Sequence, residues 1–197
     1  MSDNVSRTDD VRRAWGRVTS WLEQNAPVTY EAISGPASEK DITDAEERIG
    51  VSLPQDLRKW LLMNSMGQGS PDPVGCLVSW GCGGIVSQDA LLLGIRDIER
   101  VYLHQMGAEE MEPSGDPDYP NWRQEWIPFV SEGDGFYGQF VDARDGRVGR
   151  WSEGSLPEVG QHPSLAAYFD RVAEGLERIA TEGIAACRIV DGRLVWS

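Results

Sequence analysis

Five stretches of this chain repeat apolar residues at helical spacing, and its second half alternates them as strands do. Val11, Trp15, Val18 and Leu22 follow one another by four, three and four residues, one face of a helix capped by Thr8 or Asp9. Residues 1–9 read as a frayed lead-in, Pro27 as the stop, and residues 28–33 as extended chain. Ile42, Ala45 and Ile49 form a second, shorter face behind a Ser38 cap, with Glu39 and Asp41 in its first turn and Gly50 to end it. Val51 and Leu53 then cross in extended form to Pro54, which suits the first turn of a third helix carrying Leu57, Trp60, Leu61 and Asn64. Ile98, Val101, Tyr102 and Gln105 mark a fourth helix over residues 97–106. A fifth from Ser164 carries Leu165, Phe169, Val172, Leu176 and Ile179.

Strand patterns occupy residues 126–130, 137–142 and 148–151, the last two joined through Asp145-Gly146, and a terminal hairpin turns at Asp191-Gly192. Residues 91–93 read as a buried strand or the start of a helix; residues 76–80 and 84–86 as edge strands or ordered loop. The pattern predicts an α+β fold in a single domain: a mixed or antiparallel sheet packed by the N-terminal helix, a short two-helix corner and a C-terminal helix, plus the terminal hairpin. Residues 107–121 interrupt it with Glu109, Glu110, Glu112, Asp116, Asp118 and three prolines. Such a segment has little to bury and reads as an acidic insertion loop, not a domain boundary.

The segment 36–67 also carries a resemblance. Glu46, then Ile49-Gly50-Val51-Ser52-Leu53-Pro54-Gln55-Asp56-Leu57-Arg58, with Asn64 closing the next helix, resembles the SUKH superfamily of bacterial immunity proteins and fungal cell-wall-synthesis regulators. Trp15, Trp21-Leu22, the stretch 126–129, the glycine-rich 133–138 and the helix from Ser164 follow in the family's order. The resemblance thus covers about residues 10–180. Ser65 and Met66 separate Asn64 from Gly67, where the family often has adjacent Asn-Gly. The resemblance implies one SUKH-like domain over residues 1–197, with 185–197 as an appended hairpin. It also implies protein binding without catalysis, in an immunity protein that neutralises a cognate toxin, or in a regulator or scaffold of an endogenous enzyme.

Charge narrows the partners. With 18 basic and 32 acidic residues the net charge is −14, which disfavours nucleic acid and anionic membrane and favours a basic protein, such as a toxin's nuclease domain. The polar, acidic N-terminus and the brevity of the apolar run 90–95 predict neither export signal nor membrane span. Three cysteines without a Cys-x-x-Cys fit a reducing compartment, and the cytoplasm is the expected location.

Catalytic and metal patterns are missing from the sequence. His104 and His162 stand in no nucleophile signature, and no metal-ligand spacing occurs. Aligning Gly146 with the glycine of a calcium loop leaves one of three required carboxylates. The glycine-rich runs 81–84 and 133–138 lack a following Gly-Lys-Ser/Thr. No cofactor, metal or catalytic residue is therefore expected. Acid beside aromatics on expected loops is what stands out: Asp116, Asp118 and Trp122 in the insertion, and Glu132, Asp134, Phe136 and Tyr137 in the glycine-rich turn. Exposed, they form a site that grips a basic partner, the aromatics as anchors and the carboxylates steering; buried, the aromatics are core.

Overall fold

The computed structural model describes residues 3–31, 33, 35–64, 91–116, 118–132, 135–182 and 187–196. Its elements in chain order are α1 (Asp3–Asn25), α2 (Pro27–Glu31), α3 (Glu39–Ile49), α4 (Gln55–Met63), β1 (Leu91–Leu92), α5 (Ile95–Met111), β2 (Trp126–Ser131), β3 (Tyr137–Asp142), β4 (Val148–Ser152), β5 (Ser155–His162), α6 (Leu165–Glu182), β6 (Cys187–Val190) and β7 (Arg193–Trp196). The α+β fold expected from the pattern is present. Strands β1 to β5 form one antiparallel sheet in sequential order, and β6 pairs with β7 in a separate hairpin. The expected strands at 76–80 and 84–86 lie outside the described residues.

The corner between α3 and α4 is built as its residues dictate. Ser38 Oγ accepts from the Asp41 backbone N–H at 3.1 Å in a capping box, and Gly50 closes α3 at φ 71°. Glu46 then fastens the turn: one carboxylate oxygen accepts from the Leu53 N–H at 2.8 Å, the other from Arg58 Nη1 at 2.7 Å. The residue most prominent in the family resemblance therefore has a structural task. Arg48 reaches from α3 to Glu99 on α5 at 2.6 Å.

Helix α1 lies along α6, where the stripe of Val11, Trp15, Val18 and Leu22 meets that of Leu165, Phe169, Val172 and Leu176, all buried. Trp15, Trp60 and Phe169 join α1, α4 and α6 in one aromatic cluster with centroids 4.9 to 5.6 Å apart. Arg13 and Arg17 on the rim of this contact both bind Asp170, at 2.7 Å each. Tyr168 of α6 packs edge-on against Phe129 of β2 and so ties the helices to the sheet.

Four expectations change. Residues 3–9 are helical, so α1 begins before the anticipated cap. Pro27 opens the short helix α2 where extended chain was expected, because a proline that stops one helix is equally suited to the first turn of another. Helix α5 runs on to Met111, five residues into the expected loop, since Ala108, Glu109, Glu110 and Met111 are good helix formers. Strand β5 was not foreseen at all. It is an edge strand exposed on both faces, so it carries no apolar alternation, and Pro157 and Gly160 disguise it further. The terminal hairpin is docked: Thr29 Oγ1 accepts from the Leu194 N–H at 2.9 Å, and Val28 N–H donates to Gly192 O at 3.0 Å.

Candidate functional site: the acidic aromatic end of the sheet

The turn between β2 and β3 is held from two sides. Gly135 O accepts from Gln105 Nε2 of α5 at 2.9 Å and from the Trp151 indole of β4 at 3.0 Å, while Glu132 N–H donates to Tyr137 O at 3.0 Å. Beside Gly135, so held, Phe136 is 45% and Tyr137 44% exposed. Glu153 N–H donates to Phe136 O at 2.9 Å, and Tyr137 is paired with Ser152, which is paired in turn with Ser155. The β4–β5 turn therefore stands beside the β2–β3 turn and brings Glu153 and Leu156, itself 58% exposed, to the same end of the sheet. Phe136, Tyr137 and Leu156 are thus exposed apolar side chains at one end of the sheet, where the two turns also bring Glu132 and Glu153. Leu156 and Glu153 were missed in the sequence, although Glu153-Gly154, with Gly154 at φ 72°, is a recognisable hairpin turn.

Of the residues expected to bind a partner, Glu132, Phe136 and Tyr137 come together here, and Asp134 lies outside the described residues. Asp116 and Asp118 are exposed on the insertion. That loop is ordered by its own side chains: Asp116 Oδ1 accepts from the Asp118 N–H at 2.9 Å, and Arg123 Nη2 donates to Asp118 O at 2.9 Å. Glu109, at the end of α5, spans the loop's base by accepting from the N–H groups of Ser114 and Trp122 at 3.3 and 3.2 Å.

Trp122 corrects the expectation. It is only 3% exposed and packs edge-on against Trp126, Phe140 and Trp151 at 5.7, 5.7 and 5.1 Å. Its acidic neighbours point to solvent while the indole turns inward over the sheet, so it is a core residue and no anchor. The sheet is smoothed to receive these rings. A Cβ on Gly138 would lie 2.2 Å from the Trp151 ring and 2.3 Å from Val130 O, so only glycine fits.

Other titratable groups have structural surroundings. Burial pushes the Asp142 carboxyl up, but hydrogen bonds and charge from Arg144, at 2.7 Å, outweigh this and hold it below the usual carboxylate range. Burial, with Arg171 nearby, lowers the His162 pKa, and its ring packs edge-on against Tyr168. His104 is exposed. Among the described residues no three His, Cys, Asp or Glu side chains gather as metal ligands, and no helix is long and apolar enough to cross a membrane.

A helix-corner-helix pinned by Glu46, followed by an antiparallel meander and a closing helix on the N-terminal one, defines an α+β scaffold of the SUKH type. The chain belongs to the SMI1/KNR4 family (SUKH-1), which it matches over residues 36–171, more than half its length. It is also similar to a glucan synthesis regulatory protein of Neurospora crassa, at 23% identity over 180 aligned residues. The match takes in 73% of this chain and 33% of that protein, so the chain spans about a third of its relative's length.

Proposed function

We propose that this protein acts by contact without catalysis, as an immunity protein that covers the active surface of a cognate toxin domain made in the same cell. One observation carries the reading: three large apolar side chains, Phe136, Tyr137 and Leu156, stand exposed at one end of the sheet, at two neighbouring turns that also carry Glu132 and Glu153, in a chain of net charge −14. Aromatic anchors on a fixed backbone lose little entropy on binding, and the surrounding carboxylates favour a partner rich in Lys and Arg, such as a nuclease's substrate groove. Asp116 and Asp118 on the neighbouring loop add to the attraction at longer range. A stable complex would cover about 800 Å² on each partner, more than the patch alone offers, so the contact extends over these loops. The whole of residues 1–197 works as one SUKH-like unit in the cytoplasm in this reading, the terminal hairpin being held on α2.

The second reading is a regulator or scaffold for an endogenous enzyme, and the Neurospora relative, named for glucan synthesis regulation, favours it. Co-expression separates the two. An immunity protein rescues growth from the toxin encoded beside it, and the Phe136→Ala, Tyr137→Ala pair abolishes rescue while the chain remains folded. Absence of rescue, with capture of an endogenous enzyme that the same pair of changes releases, would favour the regulator. In either case the association rate falls as salt rises, and a flat dependence would remove the acidic face from the account.

A further inference from the structure

Gln105 and Glu109 lie four residues apart on α5, and each fastens a different loop. Gln105 Nε2 donates to Gly135 O at 2.9 Å, and Glu109 accepts from the N–H groups of Ser114 and Trp122 at 3.3 and 3.2 Å. Residues at this spacing share one face of a helix, so the β2–β3 turn and the base of the insertion are tied to the same side of α5. The tie closes through the sheet. Gly135 O also accepts from the Trp151 indole at 3.0 Å, and the Trp151 ring packs edge-on against Trp122 at 5.1 Å. Gln105, Gly135, Trp151, Trp122 and Glu109 thus form a closed circuit, in which a shift of either loop disturbs a bond or ring contact that bears on the other. Independently of this circuit, the exposed aromatics fall on the same two loops. Among the described residues, the exposed phenylalanine, tyrosine and tryptophan side chains are Phe136 and Tyr137 on the turn and Tyr119, at 59%, on the insertion.

We propose that the turn and the insertion act as one surface for a basic segment of a partner protein, with Tyr119 as a specificity-determining residue and Gln105 and Glu109 as positioning residues. Tyr119 takes the place that Trp122, a core residue, cannot fill. Its N–H donates to Asp116 O at 3.0 Å, so its ring stands on a turn closed by the loop's own backbone. A tyrosine face attracts a guanidinium or ammonium group, and Asp116 and Asp118 stand exposed beside it, as Glu153 does near Phe136. Arg123, on the same loop, is engaged by Asp118 O at 2.9 Å and lies 5.8 Å over the Trp126 ring. The charge of these loops selects a cationic occupant, and the spread of aromatics over both selects one that touches both together. The inference rests on the reading above for the partner being a protein, and adds which residues it meets and what sets their spacing.

The test is NMR of the full ¹⁵N-labelled chain titrated with the peptide acetyl-Arg-Leu-Arg-Leu-Arg-Leu-Arg-amide, and with its counterpart carrying Glu for Arg. The basic peptide should shift the Asp118 and Tyr137 amides saturably with one dissociation constant, and Tyr119→Ala should weaken it at least about threefold at both. Hydrogen exchange of the free chain tests the circuit. Gln105→Met removes a bond to Gly135 alone, yet should speed exchange of the Trp122 amide; Glu109→Ala should speed that of the Glu132 amide, which bonds Tyr137 O, with the core amides unchanged. Different constants for the two loops, equal binding of the acidic peptide, an unchanged constant in Tyr119→Ala, or faster exchange confined to the loop each variant touches would overturn the proposal. Absence of toxin rescue with the peptide bound as expected would refute the immunity reading alone. Rescue by a chain whose two loops titrate separately would refute the single surface alone.

Discussion

Replacing Glu46 tests whether the corner is held by its carboxylate. Its side chain is 17% exposed and makes two bonds, to the Leu53 N–H at 2.8 Å and to Arg58 at 2.7 Å. Glu46→Ala leaves the Leu53 N–H without its partner beside a buried Leu53 side chain, a loss of about 1–3 kcal/mol. The ion pair adds about 1 kcal/mol at most, because Arg58 is 28% exposed and keeps Glu39 as a second partner. The total, about 1–4 kcal/mol, corresponds to a fall of roughly 2–16 °C in melting temperature for a chain of this size. Glu46→Gln retains a carbonyl for Leu53 and should cost only about 1 kcal/mol. Urea unfolding of both variants, and a double-mutant cycle with Arg58→Met, measure these terms, with a coupling of about 0.5–1 kcal/mol expected between the pair. If glutamine proves as damaging as alanine, or alanine costs under about 0.5 kcal/mol, the backbone bond is not what holds the corner.

Trp122→Ala should destabilise by about 3–5 kcal/mol in thermal unfolding, whereas Phe136→Ala and Tyr137→Ala should each stay within about 1 kcal/mol and act on partner binding. Gly138→Ala forces a methyl into the Trp151 ring and a backbone carbonyl, and should cost at least about 2 kcal/mol by urea unfolding. Asp142 has a folded pKa held below its unfolded value of about 3.9, so its contribution is present above that pH and lost as pH falls through the folded value. Asp142→Asn should therefore cost about 1–2 kcal/mol at pH 7, and the gap to the parent chain should narrow as the pH falls below the unfolded value of about 3.9; a gap independent of pH would refute the assignment.

Helices were legible wherever a stripe was long and one-sided, as in Val11 to Leu22 or Leu165 to Ile179, because burial of one face imposes its period on the sequence. The meander was legible for the same reason and because Asp145-Gly146 supplies the turn. Strand β5 was not, since an exposed edge has no face to record. Trp122 misled for a related reason: its neighbours in sequence are acids at the surface, and only the path of the loop across the sheet turns the indole inward. Phe136, Tyr137, Glu132 and the insertion's two aspartates were readable as candidates from composition. Leu156 and Glu153 became visible only when pairing placed one hairpin turn beside another.

The contrast between the corner and the sheet end explains why membership of the SMI1/KNR4 family does not by itself select between immunity and regulation. The residues that carry the resemblance, Glu46, Gly50, Leu53, Pro54 and Arg58, are occupied in holding α3 and α4 together, by a cap, a left-handed glycine and a shared carboxylate. Each is answerable to the fold, so a different partner makes no demand on it. The exposed side chains at the sheet end take no part in that corner: Tyr137 and Leu156 can change with little loss of stability. Their backbone, in contrast, is clamped through Gly135 by Gln105 and Trp151. The proposed contact would therefore draw its specificity from exposed side chains at the sheet end and not from the family motif.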